Sequence, residues 1–276
     1  MPPAKWLAEL KYRPDGGLSR HSAAPLLGAA AMTRIDFVTA RPGVQLAYQH
    51  RPGRGPTLLF LPGYASDMAG SKATALAEWA RRSGRASLLF DYGGCGLSSG
   101  EFEAQSFRDW LGDALHLIDH VVPEGPLVLV GSSMGGWLML HLAIARAQRV
   151  KALVGIAAAP DFTDWGFTPE QKQQLARDGR LEEPNAYGPE PTLTTRAFFE
   201  SAEAHRLLHV EIPIDCPVRL LHGMRDSEVP PQVAADLMAK LRSADVQTIL
   251  VKQGDHRLSR DQDIDLLLDT LSNLVD

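Results

Sequence analysis

Cysteine is scarce in this sequence: Cys95 and Cys216 are the only two among 276 residues. Two thiols cannot build a disulfide framework, which points to a reducing compartment, and a cytoplasmic location is expected. No cysteine and histidine cluster has zinc-site spacing, so no metal is expected. Positive charge is also short, with 28 Lys and Arg against 33 Asp and Glu and a formal net charge of −5. That balance, without a basic stripe, gives no electrostatic case for a nucleic-acid partner. No apolar run approaches the roughly 18 residues of a membrane span. The glycine-rich segment from Tyr92 to Ser98 lacks the lysine of a P-loop and a helix to seat a pyrophosphate, which argues against nucleotide binding. With 45% hydrophobic and 22% charged residues, the chain has ordinary globular composition and is long enough for one large core.

What is present centres on ten residues, Leu127 to Gly136. Four apolar residues, Leu127 to Val130, read as a buried strand. Gly131, Ser132, Ser133, Met134 and Gly135 follow, and an apolar helix-like run begins near Trp137. Ser133 has glycine two residues to either side, whereas Ser132 would need it at Val130 and Met134. A nucleophile on so sharp a strand-to-helix turn brings backbones too close for larger side chains at those two positions.

Around that stretch the chain alternates strands and helices. Residues 1–33 differ in composition and read as an N-terminal extension, either a transit-like segment or a translated upstream stretch with Met32 as the working start. A folded domain is expected over 34–276. Ile35, Phe37 and the region Val44 to Tyr48 read as two strands around the turn Arg41-Pro42-Gly43. Further strands are expected at Thr57–Leu61, Ala86–Asp91, Lys151–Ile156, Val218–His222 and Val246–Val251. Helices are expected at Ser71–Arg82, at Ser106–Val122 with Ser106 and Asp109 as a capping box, at Pro231–Leu241 and at Ile264–Val275. This rhythm implies a mostly parallel sheet with helices on both faces. It breaks over about 161–214, where a helix from Pro169 to Gly179, a turn-rich link and a helix from Thr195 to Leu208 suggest a helical cap insertion. Of its aromatics, Trp165, Phe198 and Phe199 are the candidates for lining an acyl site, with Phe167 and Tyr187 nearby in sequence.

A serine hydroxyl needs a base, and the base needs an acid to orient it. In the α/β-hydrolase arrangement these follow in the order serine, acid, histidine, on loops after later strands. Asp226 follows one late strand and His256 the next, and His256 is the only histidine after that acid. Ser133, Asp226 and His256 are therefore the expected catalytic residues. Asp161 is the runner-up acid, and His222, His141 and Asp255 read as structural. A developing oxyanion needs preorganised donors, expected from the backbone N–H groups of Met134 and of Tyr64 in the loop after Leu61.

Leu61 to Tyr64, Phe90 to Gly96, Gly131 to Leu140, Leu220 to Asp226 and Asp255 to Arg257 together resemble one branch of the α/β-hydrolase-domain proteins. That branch contains the mitochondrial acyl-glucuronide esterase, also described as a protein depalmitoylase. The resemblance spans about residues 35–275 and implies an α/β-hydrolase fold and cofactor-free hydrolysis of carboxylic esters or acyl-thioesters through an acyl-enzyme on Ser133. A small-molecule ester or thioester, or an S-acylated protein, is the expected partner, and a monomer the expected state. Two other readings stay open on the sequence: another serine-triad reaction such as peptide hydrolysis or perhydrolysis, and a non-catalytic ligand-binding protein on the same fold.

Residues 1–31 supply none of the expected catalytic side chains and little periodic apolar surface. A protein beginning at Met32 is therefore expected to fold and to keep its hydrolytic activity. Loss of solubility or of turnover on that truncation, measured beside the full chain, would show that the segment packs against the domain.

Overall fold

The computed structural model describes residues 34–185 and 188–275; the N-terminal extension expected over 1–33 and the aromatic Tyr187 lie outside the described residues. Strand β3 (Arg54–Leu61) shows how the sequence sets the layers. Its apolar run alternates across the sheet, with Leu59 and Leu61 in one core and Leu58 and Phe60 in another. Strand β5 (Leu127–Ser132) divides the same way, Leu127 and Leu129 against Val128 and Val130. Strands apolar on both faces need a helical layer on each. Helices α1 (Ser71–Ser83) and α8 (Asp261–Val275) cover one face through Leu76, Ala80, Leu267 and Leu271. Helices α2 (Phe107–His120), α3 (Met134–Ala145) and α7 (Gln232–Lys240) cover the other through Trp110, Leu117, Trp137 and Leu237.

The remaining strands of this sheet are β1 (Asp36–Arg41), β2 (Val44–Arg51), β4 (Arg85–Phe90), β6 (Val150–Ile156), β9 (Val218–Gly223) and β10 (Val246–Val251). The eight lie in the order β1-β2-β4-β3-β5-β6-β9-β10. Only β1 with β2 and β2 with β4 pair antiparallel; every other neighbour is parallel. The carboxyl ends of β3, β5, β6, β9 and β10 therefore share one edge, where ligands of open α/β sheets bind. This is the mostly parallel sheet with helices on both faces that the sequence implies.

Local signals behave as written. Ser106 and Asp109 form a capping box at the start of α2. Thr168 and Gln171 form another on α5 (Pro169–Asp178), which stops at Gly179 in the left-handed region, φ 80°. The segment between β6 and β9 departs further from expectation. Besides α5 it holds one turn of helix, α4 (Phe162–Trp165), a two-stranded antiparallel hairpin of β7 (Arg180–Glu183) and β8 (Thr192–Thr195), and α6 (Arg196–Glu203). Where the sequence suggests a helix to Leu208, α6 ends at Glu203. The buried Asp161 carboxylate instead accepts the N–H groups of Leu207 and Leu208 at 2.8–3.0 Å.

Several polar ties fasten this segment to the sheet's helical layer and loops, among them one from the Arg108 N–H to Ser201 Oγ at 3.1 Å. The Tyr64 hydroxyl donates to the Leu193 carbonyl at 2.6 Å. Trp137 Nε1–H and His141 Nε2–H both donate to the His205 carbonyl, at 3.1 and 2.9 Å. Burial pushes His141 down to about 4, so it remains a neutral donor. Phe198 supplies the apolar tie: it is 1% exposed and its ring meets those of Tyr64, Trp110, Phe107 and Phe162. Phe199, by contrast, is half-buried with its ring edge-on to Phe167.

Replacing Phe198 with alanine should therefore cost about 3–5 kcal/mol of stability, read as a lowered midpoint in denaturant unfolding. A loss under about 1 kcal/mol would mean that the segment and the sheet layers unfold independently.

Candidate active site

The site begins with the turn between β5 and α3. Ser133 sits there with φ 53° and ψ −121°, a conformation that costs a non-glycine residue about 1–3 kcal/mol. Its surroundings enforce it. The Ser133 N–H donates to the Ile156 carbonyl at 2.9 Å, and its carbonyl accepts from Gly136 and Ala159 at 2.9 and 3.1 Å. A Cβ at Gly131 would fall 2.4 Å from the Gly135 carbonyl oxygen, and one at Gly135 would fall 2.1 Å from that of Leu61. No side chain fits either place, so the glycines flanking Ser133 are a steric requirement.

Parallel pairing then brings distant residues to that turn. His256 lies on the loop after β10, and its Nε2 is 3.1 Å from Ser133 Oγ, so the hydroxyl donates to the imidazole. On the other side of the ring, Nδ1–H donates to Asp226 Oδ2 at 2.9 Å. Asp226 lies after β9 with its carboxylate fully buried. Its Oδ1 accepts the N–H groups of Glu228 and Val229 at 2.9 and 2.8 Å. Burial opposes the charge, but the His256 hydrogen bond, these two N–H groups and the His256 charge together outweigh it and hold the carboxyl below the usual range.

The other candidates take structural places. His222, 1% exposed, donates Nε2–H to the Val229 carbonyl at 2.9 Å and lies 3.4 Å from Asp226 Oδ2, so it braces the acid's turn from beneath. Asp161 spends both oxygens on Leu207 and Leu208 and cannot serve as the acid in this arrangement. Asp255 caps its own loop through the Leu258 N–H at 3.0 Å. Met134 is the first residue of α3, so its N–H is among those with no intrahelical partner. The loop carrying Tyr64 passes directly over the Ser133 turn: a Cβ on Gly63 would be 3.4 Å from Ser133 Cβ. Trp165 packs on the cluster of Ala159, Val229 and Val233, of which Ala159 donates its N–H to the Ser133 carbonyl and Val229 donates its own to Asp226. Phe198 is in the core and Phe199 rests on Phe167.

Sequence reasoning misses several groups. Asp91, at the end of β4, is buried and accepts the N–H groups of Met68 and Leu97, both at 2.7 Å, so it joins the loop after β3 to the glycine-rich loop. Glu228 brings a second carboxylate within 3.6 Å of His256 Nε2. Its position two residues after Asp226 was the available signal. The hydroxyl of Tyr64 holds the hairpin, a role only a three-dimensional contact reveals.

A parallel sheet with this serine-bearing turn and an acid and a histidine after its last two strands defines the class: the protein is an α/β hydrolase. Comparison with known proteins makes the assignment more particular. The family profile described as "Serine aminopeptidase, S33" matches residues 55–181. The human palmitoyl-protein thioesterase ABHD10, mitochondrial, is 41% identical over 248 residues, covering 88% of this chain and 81% of the relative. Among solved structures, mouse α/β hydrolase domain-containing protein 10 superposes with a TM-score of 0.81 at 41% identity, covering 87% of this chain and 98% of that one. A hydrolase from Agrobacterium vitis S4 gives 0.82 at 38% identity, covering 89% and 99%. The chain belongs to the ABHD10 family of α/β-hydrolase-domain proteins and is an ester or thioester hydrolase. The cytoplasmic location expected from the cysteine count is corrected by the relatives, which are named as mitochondrial. Both cysteines are free, and free thiols indicate a reducing compartment without saying which.

Because its folded-state value is depressed, the Asp226 carboxylate stabilises the protein fully above its unfolded value of about 3.9, and that contribution drains away as pH falls through the lower folded value. The stability gap between wild type and Asp226→Asn should thus be widest above about pH 5 and narrow below pH 4. A gap that stays constant from pH 3 to 7 would contradict the pairing.

Proposed function

We propose that Ser133, His256 and Asp226 act as a catalytic triad that hydrolyses an acyl ester or thioester through an acyl-enzyme. The observation that carries this reading is the continuous hydrogen-bonded chain from Asp226 Oδ2 through both ring nitrogens of His256 to Ser133 Oγ, at 2.9 and 3.1 Å. As Oγ attacks the acyl carbon, His256 Nε2 takes its proton and the buried Asp226 carboxylate balances the imidazolium charge. Collapse of the tetrahedral intermediate expels the thiol or alcohol, which receives that proton from Nε2. A water then repeats the sequence on the acyl-serine, with His256 again as base, and releases the carboxylic acid.

The intermediate's oxyanion is assigned to the backbone N–H groups of Met134 and Tyr64. The free first-turn position of Met134 and the passage of the Pro62–Tyr64 loop over Ser133 support that assignment. The segment 161–214 is proposed as a cap on the hydrolase domain, with Trp165 as the aromatic best placed to meet the acyl chain. An S-acylated protein is the proposed partner, and a mitochondrial location is proposed, both after the names of the relatives. The peptidase description of the matching family profile keeps an amide reading in play, so the substrate panel includes a peptide.

Ser133→Ala and His256→Ala should each lower kcat by roughly 10⁴- to 10⁶-fold, with little further loss in the double variant, because the three groups act as a unit. The assay is thiol or alcohol release from a thioester, an ester and a peptide of matched length. A folded Ser133→Ala protein with near-native turnover would falsify the assignment, and faster cleavage of the peptide than of the thioester would move the substrate class to amides.

A further inference from the structure

A second carboxylate faces the reacting edge of the histidine. Glu228 Oε2 lies 3.6 Å from His256 Nε2, the atom proposed above to return the proton to the leaving group, and the Glu228 side chain is 43% exposed. The Glu228 backbone is held by its own N–H bond to Asp226 Oδ1, so this carboxylate starts from the best-fixed turn of the site. Any leaving-group atom that accepts the proton must come within about 3 Å of Nε2. It follows geometrically that the atom lies within about 7 Å of the Glu228 carboxylate, inside the roughly 8–10 Å Debye length at ordinary ionic strength.

We propose that Glu228 is a specificity-determining residue that biases hydrolysis toward leaving groups that are neutral or positively charged beside the scissile bond, as in an S-acylated cysteine flanked by basic residues. This rests on the Ser133–His256–Asp226 reading of the site. A negative charge next to the leaving atom meets a like charge at that distance, and a positive one meets an opposite charge. Even with the dielectric of water, a unit-charge contact at about 7 Å is worth about 3-fold in rate, and partial desolvation raises it. The formal chain charge of −5 has the same sign.

The test uses thioesters of one acyl group with three thiols: mercaptoacetate, mercaptoacetamide and thiocholine. These are anionic, neutral and cationic close to sulfur. Intrinsic leaving ability, and any common effect of Glu228 on the imidazolium charge, cancel when kcat/KM ratios are compared between variants. In Glu228→Gln the thiocholine-to-mercaptoacetate ratio should fall by about 3- to 10-fold relative to wild type at low salt. Glu228→Lys should lower it further, and about 0.5 M salt should shrink both differences. A ratio that moves by less than about 1.5-fold in both variants, or a shift that ignores salt, overturns the proposal. Ser133→Ala in the same assay separates the two levels. If it still hydrolyses the thioesters, the underlying triad reading fails; if it is inactive and the ratio stays put, only the role of Glu228 fails.

Discussion

How closely the backbone after β5 approaches its neighbours is the constraint on which the rest of the site depends. The Ser133 turn is wedged between the end of β3 and the end of β6, with carbonyl oxygens of Leu61 and Pro62 filling the space where a Gly135 Cβ would stand. Ser133 is held at positive φ by hydrogen bonds to Ile156, Gly136 and Ala159. Strain of this kind persists only where the surroundings over-determine it. Here a central strand buried on both faces and a helix apolar on nearly every side supply that rigidity. The same close approach lays the Pro62–Tyr64 loop over the serine and leaves the first N–H of α3 uncommitted.

The second dependence is on Asp226. A buried carboxylate is tolerated only when its lone pairs are satisfied, and this one receives two backbone N–H groups on one oxygen and His256 on the other. His222 adds a donor beneath the same turn. Fixing Asp226 also fixes the backbone of Glu228, so the carboxylate bonded to His256 Nδ1 and the one 3.6 Å from its Nε2 share one short loop.

The segment between β6 and β9 is tied to the rest of the domain at several points. Tyr64 joins the loop over Ser133 to β8, while Trp137 and His141, both on the helix that follows Ser133, converge on one carbonyl, that of His205. Phe198 closes the apolar contact beneath them. A displacement of the segment would therefore be felt in the Pro62–Tyr64 loop and along α3. Such coupling has a physical basis in shared hydrogen bonds and ring contacts rather than in proximity alone.

Much of this was legible in the residues. Apolar runs at Leu58–Leu61 and Leu127–Val130 specify two-sided strands, the glycines around Ser133 specify the turn, and Ser106 with Asp109 and Thr168 with Gln171 mark helix starts, because each of these signals is local. Chain order together with position at strand ends pointed to Asp226 and His256 as candidates, since a parallel sheet carries successive strand ends to one edge. Only the tertiary structure revealed the hairpin of β7 and β8, whose four-residue strands Arg180–Glu183 and Thr192–Thr195 are too short and too polar to show a period. It also decided that α6 stops at Glu203, because Asp161, 46 positions before Leu207, takes the N–H groups that a longer helix would use. Phe198 and Phe199 are adjacent in sequence and identical in kind, yet helical geometry and the rings of Tyr64 and Trp110 send one into the core and leave the other half-buried. Periodicity and turn chemistry are written in neighbouring residues. Which carboxylate meets which N–H depends on the order in which the strands assemble, and that order is fixed by packing across the whole sheet.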